Sequence, residues 1–232
     1  MNLEQVIALL EQHQNPRGIE HWQKMNNTGG LSSYGIGLTQ QRKLAKQVGK
    51  NRELAAQLWQ QPNYDAKVLG LLIDNPKQIT IEQAEQQVEQ LAGGMLCHVF
   101  SSCDATLAKS PIAFQVAENW LSSEDPIRRR CAYGLVYELS KKKSKFYDDS
   151  FFMSVINLID STFVNQSRPV LLAMGGALLG IGKRSAELNI ASVALAKKIG
   201  SIDFNEDGQT CDPFDVLKHL TNDRLKEKLG IS

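Results

Sequence analysis

Residues 120–139 read Trp120-Leu-Ser-Ser-Glu-Asp125-Pro-Ile-Arg-Arg-Arg130-Cys-Ala-Tyr-Gly-Leu135-Val-Tyr-Glu-Leu139. An apolar segment ends at Trp120-Leu121, a polar turn follows, and Asp125-Pro126 opens the next segment. A short carboxylate accepts from the unsatisfied N–H groups of a first helical turn, and proline suits the first helical position, where its missing N–H is not needed. Ile127, Cys131, Leu135 and Leu139 then recur every four residues, which puts them on one face of a helix.

The pattern recurs outward from this stretch. Leu58-Trp59 leads through Gln-Gln-Pro-Asn to Tyr64-Asp65-Ala66-Lys67-Val68-Leu69, and Leu158-Ile159 leads through residues 160–166 to Ser167-Arg168-Pro169-Val170-Leu171. Ser110-Pro111 and Asp212-Pro213 read as two further caps, and Thr80 with Gln83 three residues on reads as a capping box. Alternation with period two is missing, so no sheet is expected. About a dozen short helices follow from the spacing, with 93–104 the least regular segment. Helix pairs stacked on their neighbours predict an all-α, HEAT-like α-α superhelix of the ARM/HEAT solenoid kind, with an irregular helical bundle as the alternative. It is expected as one domain over 1–232, with 201–232 a C-terminal helical tail.

Composition sets the class. The chain has 232 residues, 42% hydrophobic and 22% charged, with a net charge of +1. A chain of this length buries about 70% of its unfolded surface and holds a core without staples. No apolar run is long enough to span a bilayer and the N-terminus lacks a basic leader, so a cytoplasmic location with no membrane partner is expected. Cys97, Cys103, Cys131 and Cys211 form no CxxC, so thiols rather than a disulfide framework are expected. Cys97-His98 and Cys103 fit no standard zinc spacing, and no metal or cofactor is expected. The acidic run 203–208 lacks the ligand pattern of a calcium loop. No cysteine–histidine pair is evident from spacing.

With so little net charge, a polyanion must be held by a local patch. Residues 128–145 carry seven basic side chains and one acidic one, hence +6 and −5 for the remainder. Arg128, Arg129 and Arg130 occupy a first helical turn, where the helix dipole disfavours cations. Their forks beside free N–H groups suit a phosphate, and the alternative reading is a solvated turn balanced by Glu124 and Asp125. Lys141, Lys142, Lys143 and Lys145 sit at the other end, where the dipole favours them as a solvated group. The glycine-rich run 175–185 lacks the glycine and the Ser or Thr that a phosphate loop needs at Ala177 and Arg184, and it reads as a close-packed helix.

Four segments together resemble the AlkD-like DNA alkylation repair family: Tyr34-Gly-Ile-Gly37 through Gln41-Arg-Lys-Leu44, Leu58-Trp59 with the helix after it, Trp120 through Arg130, and Ala173-Met-Gly-Gly-Ala-Leu-Leu-Gly-Ile-Gly-Lys183-Arg184. The resemblance covers most of 1–190. It implies a HEAT-like solenoid curved around duplex DNA, and a glycosylase for N-alkylated, cationic bases that uses an aspartate, two tryptophans and a DNA-contacting arginine. Aromatic faces attract the cationic base, and the carboxylate favours positive charge developing on the sugar. Carried over by position, the arginine is Arg130, while the tryptophans fall on Gly94 and Gly176 and the aspartate on His98. A shifted register brings in Asp104.

The expectation is a monomeric duplex-DNA-binding member without the usual excision site. Arg130 is its chief phosphate contact, with Arg128, Arg129, Lys67, Arg168, Lys183 and Arg184 in support. The alternatives are an N-alkylpurine glycosylase with an altered site built on Asp104 or His98, and a protein-binding solenoid. The chain's helix-dominated sequence predicts circular dichroism with strand content well below the ordinary globular share of about a fifth.

Overall fold

A computed structural model describes residues 1–92, 94–103, 105–203 and 212–231. Those residues are helical and contain no strand, only the isolated bridges Ser32–Asn63 and Ile202–Phe214. They form two units, 1–113 and 114–232.

The first unit holds α1 (Leu3–Gln12), α2 (Pro16–Gln23), α3 (Leu38–Val48), α4 (Arg52–Trp59), α5 (Tyr64–Ile73), α6 (Ile81–Glu89) and α7 (Gly94–Ser101). Its centre is α5, buried from Asp65 to Ile73. α4 and α5 are antiparallel. The Asn51 N–H at the start of α4 donates to the Ile73 carbonyl at the end of α5, and the Lys67 ammonium donates to the Trp59 carbonyl. Between them Gly70 lets the backbones close up, since a Cβ there would stand 3.0 Å from the Ala55 carbonyl oxygen.

Asp65 has no exposed surface, yet no cation meets its carboxylate among the described contacts. Instead it accepts from the Ser33 hydroxyl (2.7 Å), the Tyr34 N–H (2.7 Å), the Ile36 N–H (3.1 Å) and the Gln41 amide (2.9 Å). A buried charge is tolerated only with such satisfaction. These bonds fix the 33–36 turn between α2 and α3. Gly35 (φ +71°) then backs onto Gly18, leaving no room for a Cβ at either residue. The far end of α5 is closed by Lys50, whose ammonium donates to the Leu72 and Asp74 carbonyls at 2.8 and 2.9 Å.

The second unit holds α8 (Ala113–Leu121, beginning at the boundary), α9 (Pro126–Ser140), α10 (Asp149–Thr162), α11 (Arg168–Ile181), α12 (Ala186–Ile199), α13 (Val216–Leu220) and α14 (Asp223–Leu229). α9 and α11 run parallel. At their N-terminal ends Arg129 Nε donates to Gln166, and at their C-terminal ends Gly180 packs on Tyr137 and Ser140. The tail returns to this pair, because Ile202, Phe214 and Val216 all lie against Gly175.

Asp125 caps α9 as expected, accepting from the Ile127 N–H at 2.9 Å, with Pro126 first in the helix. The two other expected caps are displaced. Ser110 closes a 3-10 turn, its hydroxyl bonded to the Leu107 carbonyl, and α8 starts later at Ala113. Asp215, not Asp212, caps α13. Asn15 and Asn75, each before a proline, cap helical turns that the sequence did not single out. Thr80 caps α6, but the Gln83 amide reaches Asp74 instead of returning to the cap. Cys211 and the acidic run after Asp203 lie outside the described residues.

Replacing Asp65 with Ala orphans four buried or half-buried donors. Hydrogen bonds to charged groups contribute about 1.5–3 kcal/mol each, so a loss of at least about 3 kcal/mol is expected in urea denaturation.

Candidate functional site

The three arginines of the α9 first turn have separate fates. Arg128 places Nη1 3.0 Å from the capping Asp125 carboxylate. Arg129 turns back, donating from Nη1 to the Ser123 and Glu124 carbonyls, both at 2.8 Å, while Nε reaches Gln166. Two of the three thus hold the 123–125 turn and the start of α11. Arg130 is half-buried and has no hydrogen bond or ion pair to the described residues.

The half-buried positions on α9 define the face to which Arg130 belongs. Arg130, Gly134 and Tyr137 are spaced by four and three residues, and Lys141 continues the row just past the helix end. The Lys141 ammonium lies 3.9 Å from the centre of the Tyr137 ring and 2.9 Å from Glu138. On α11, Leu172, Gly176 and Leu179 are likewise half-buried, with Lys183 exposed one turn on and without a partner among the described residues. Arg168 is half-buried at the start of α11. A Cβ built on Gly176 meets nothing within 4 Å, and the Tyr137 ring lies one turn further along, against Gly180. Tyr137 escaped the sequence analysis. Its signal was the seven-residue spacing from Arg130, two turns along one face.

Two expected DNA contacts are internal to the fold. Lys67 is 9% exposed, bonded to the Trp59 carbonyl, with its ammonium 4.6 Å from the Trp59 ring centre. Burial pushes its pKa down. Arg184 caps the end of α9, donating from Nη1 to the Ser140 and Lys142 carbonyls at 2.7 and 2.8 Å, with Nε 3.1 Å from Asp149. Its guanidinium also stacks 4.3 Å from the Phe152 ring centre. Neither has its charge turned to solvent as a phosphate contact needs.

In the first unit, Gly94 opens α7 with φ +64°, and the Asn27 carbonyl oxygen occupies the place a Cβ would take. No side chain fits there. His98 is exposed on α7, with Nε2 3.1 Å from Cys103 Sγ and Nδ1 3.4 Å from the Ser102 hydroxyl. Asp104 lies outside the described residues. Trp59 and Trp120 are core residues, 3% and 2% exposed. Trp22 stacks on Tyr64 with ring centres 4.6 Å apart, and its indole N–H donates to the Leu31 carbonyl. Among the described residues no helix is long and apolar enough to cross a membrane, and no three potential ligands cluster as a metal site.

A family model described as DNA alkylation repair enzyme matches residues 6–199. An uncharacterized protein of Listeria innocua is 22% identical over 233 residues, covering 97% of this chain and 98% of its own. One from Listeria monocytogenes is 22% identical over 237 residues, covering 98% of this chain and 100% of its own. A solved structure, described as a new family of proteins related to the HEAT-like repeat DNA glycosylases with affinity for branched DNA structures, aligns with a TM-score of 0.84 at 21% identity. That alignment covers 100% of this chain and 97% of the other, so the fold is of the HEAT-like repeat kind.

The neighbouring glycines of α11 differ in surroundings, and substitution will separate them. Gly176→Ala adds a methyl to open space and removes the helix penalty of glycine, so stability rises by about 0.5–1 kcal/mol. Gly175→Ala drives a methyl to 2.9 Å from Ile202, and overpacking of this kind costs about 1–3 kcal/mol. Paired urea titrations of the two variants measure both signs.

Proposed function

The chain belongs to the DNA alkylation repair enzyme family, and from that premise we propose that it binds DNA phosphates through the α9–α11 face and does not excise alkylated bases. The observation that carries this is Arg130. It falls where the family resemblance puts the DNA-contacting arginine, and of the three arginines in its turn it is the one without a partner among the described residues. Lys141, stacked on the Tyr137 ring, and Lys183 lie further along the same two helix faces. A guanidinium not already bonded to the protein is able to form charge-assisted bonds to phosphate oxygens without breaking others. Phosphate contacts of this kind hold and orient a nucleic acid without reading its sequence.

The proposal extends to the form of the DNA. The solved relative is described as having affinity for branched DNA structures, and the shared fold supports a preference for branched over linear DNA here. Excision is disfavoured by what stands at three positions. Gly94 and Gly176 offer no ring to a cationic base, and His98 offers no fixed negative charge for an oxocarbenium-like transition state. A single catalytic electrostatic group is commonly worth about 3–4 kcal/mol.

The expected result is tighter binding to a four-way junction than to a linear duplex of equal length, falling steeply with salt. Arg130→Glu should weaken both by at least tenfold with an unchanged melting temperature. Arg129→Ala, which frees the turn carbonyls, should instead lower the melting temperature. If Arg130→Glu binds as the parent does, this face is not the DNA contact. Incubation with methylated duplex should release no free base above background, by chromatography. Robust release would show an active site built from other residues.

A further inference from the structure

Three of the four cysteines are described, and they differ. Cys97 and Cys131 are buried, whereas Cys103 is partly exposed. Cys103 has φ +56°, the single non-glycine residue with positive φ among those described. That conformation turns its side chain back toward α7. Sγ comes to 3.1 Å from His98 Nε2, within reach for proton exchange between thiol and ring. On the other side of the ring, Nδ1 is 3.4 Å from the Ser102 hydroxyl, which also donates to the His98 carbonyl at 2.6 Å. The order is thiol, imidazole, Ser102: a nucleophile, a base, and a polar group against the base's second nitrogen.

Two charged or titratable neighbours of the pair come from other helices of the unit. From α3, Arg42 Nη2 lies 3.4 Å from the Cys103 carbonyl oxygen. From α5, the Tyr64 hydroxyl has its pKa raised by burial and then by the negative charges of Asp65 and Cys103. A guanidinium and an imidazolium close to a thiol favour the thiolate, and the thiolate is the reactive form.

We propose that His98 and Cys103 form a nucleophilic thiolate–imidazolium pair whose substrate is a soft alkyl electrophile, trapped as S-alkylcysteine. The thiol proton passes to His98 Nε2. Cys103 Sγ attacks the sp3 carbon of the alkyl donor, the S–C bond forms, and the carbon–leaving-group bond breaks with its electron pair going to the leaving group. The imidazolium, on an exposed residue, then returns its proton to water. No oxidant or second reactant is needed. The other two cysteines among the described residues, Cys97 and Cys131, are buried. The position that carries a carboxylate in the family resemblance here carries the base for a thiol. This step does not depend on DNA binding, so it stands or falls separately from the function proposed above.

Two alkyl donors test it: iodoacetamide, and duplex DNA treated with a methylating agent and freed of reagent. Peptide mapping by mass spectrometry reports the modified residue. Cys103 should alkylate ahead of Cys97 and Cys131, with its rate at pH 6.5 within about tenfold of that at pH 9. An ordinary thiol of pKa about 8.5 slows nearly a hundredfold over that range. His98→Gln should restore the ordinary profile, and Cys103→Ser should remove the label. A parent Cys103 with the ordinary profile overturns the proposal, whether or not the His98 variant folds. So does a folded His98→Gln protein that reacts like the parent. Methyl transfer from the treated duplex to Cys103 supports the pair and assigns nucleic acid as a donor. Labelling by iodoacetamide alone, with the flat profile, supports the pair and assigns small electrophiles.

Discussion

The first unit depends on one buried negative charge. Asp65 sits in the first turn of α5, the helix around which that unit is built, and is sealed from water. In water its carboxylate would be solvated at no cost. Inside the protein the four donors from 33–41 replace that solvation, so folding of α5 and ordering of the Tyr34–Gly37 turn are conditional on one another. The bonds also fix direction. With the Tyr34 and Ile36 N–H groups aimed at the carboxylate, the Tyr34 carbonyl is left facing Asn15 and accepts its N–H at 2.8 Å. The start of α2 is thereby set against the turn, which is where Gly18 and Gly35 meet.

In the second unit arginine does the comparable work with carbonyls. Arg129 gathers the carbonyls before α9, and Arg184 gathers those after it. A guanidinium has five donors in a plane, so one side chain closes a helix end and still makes a further contact, to Gln166 in one case and Asp149 in the other. Sequence density of positive charge therefore overstates what faces solvent in 128–145. What distinguishes a candidate contact is an arginine that the fold has not already bonded.

The fold class was legible because helix caps and apolar spacing are local signals. Asp125-Pro126 and the four-residue rhythm of Ile127, Cys131, Leu135 and Leu139 specify a helix whatever surrounds it. Ser110 and Asp212 carried the same chemistry, but Ser110 closes a 3-10 turn and Asp215 takes the cap of the later helix, so both helices start further on. The role of Asp65 was not legible. Its partners are 24 to 32 residues away, and a single aspartate in an apolar run gives no sign of which donors will reach it. The arginine turn was legible as a cluster but not as a division of labour, since the carbonyls that bind Arg129 and Arg184 are not written in side chains. The Cys103–His98 contact was hidden for a third reason: five residues is not a helical spacing, and it closes only because the chain turns left-handed at Cys103.

The two glycines that the family resemblance sets against tryptophans have unequal room around them. At 176 a Cβ would meet nothing within 4 Å, so the backbone leaves room for the first side-chain atom. At 94 the backbone carbonyl of Asn27 fills the space of the first side-chain atom and the dihedral angle suits glycine. A side chain at 94 therefore requires the segment around Asn27 to move. Position 176 thus has space for a first side-chain atom as the backbone stands, while position 94 has it only once a second segment shifts.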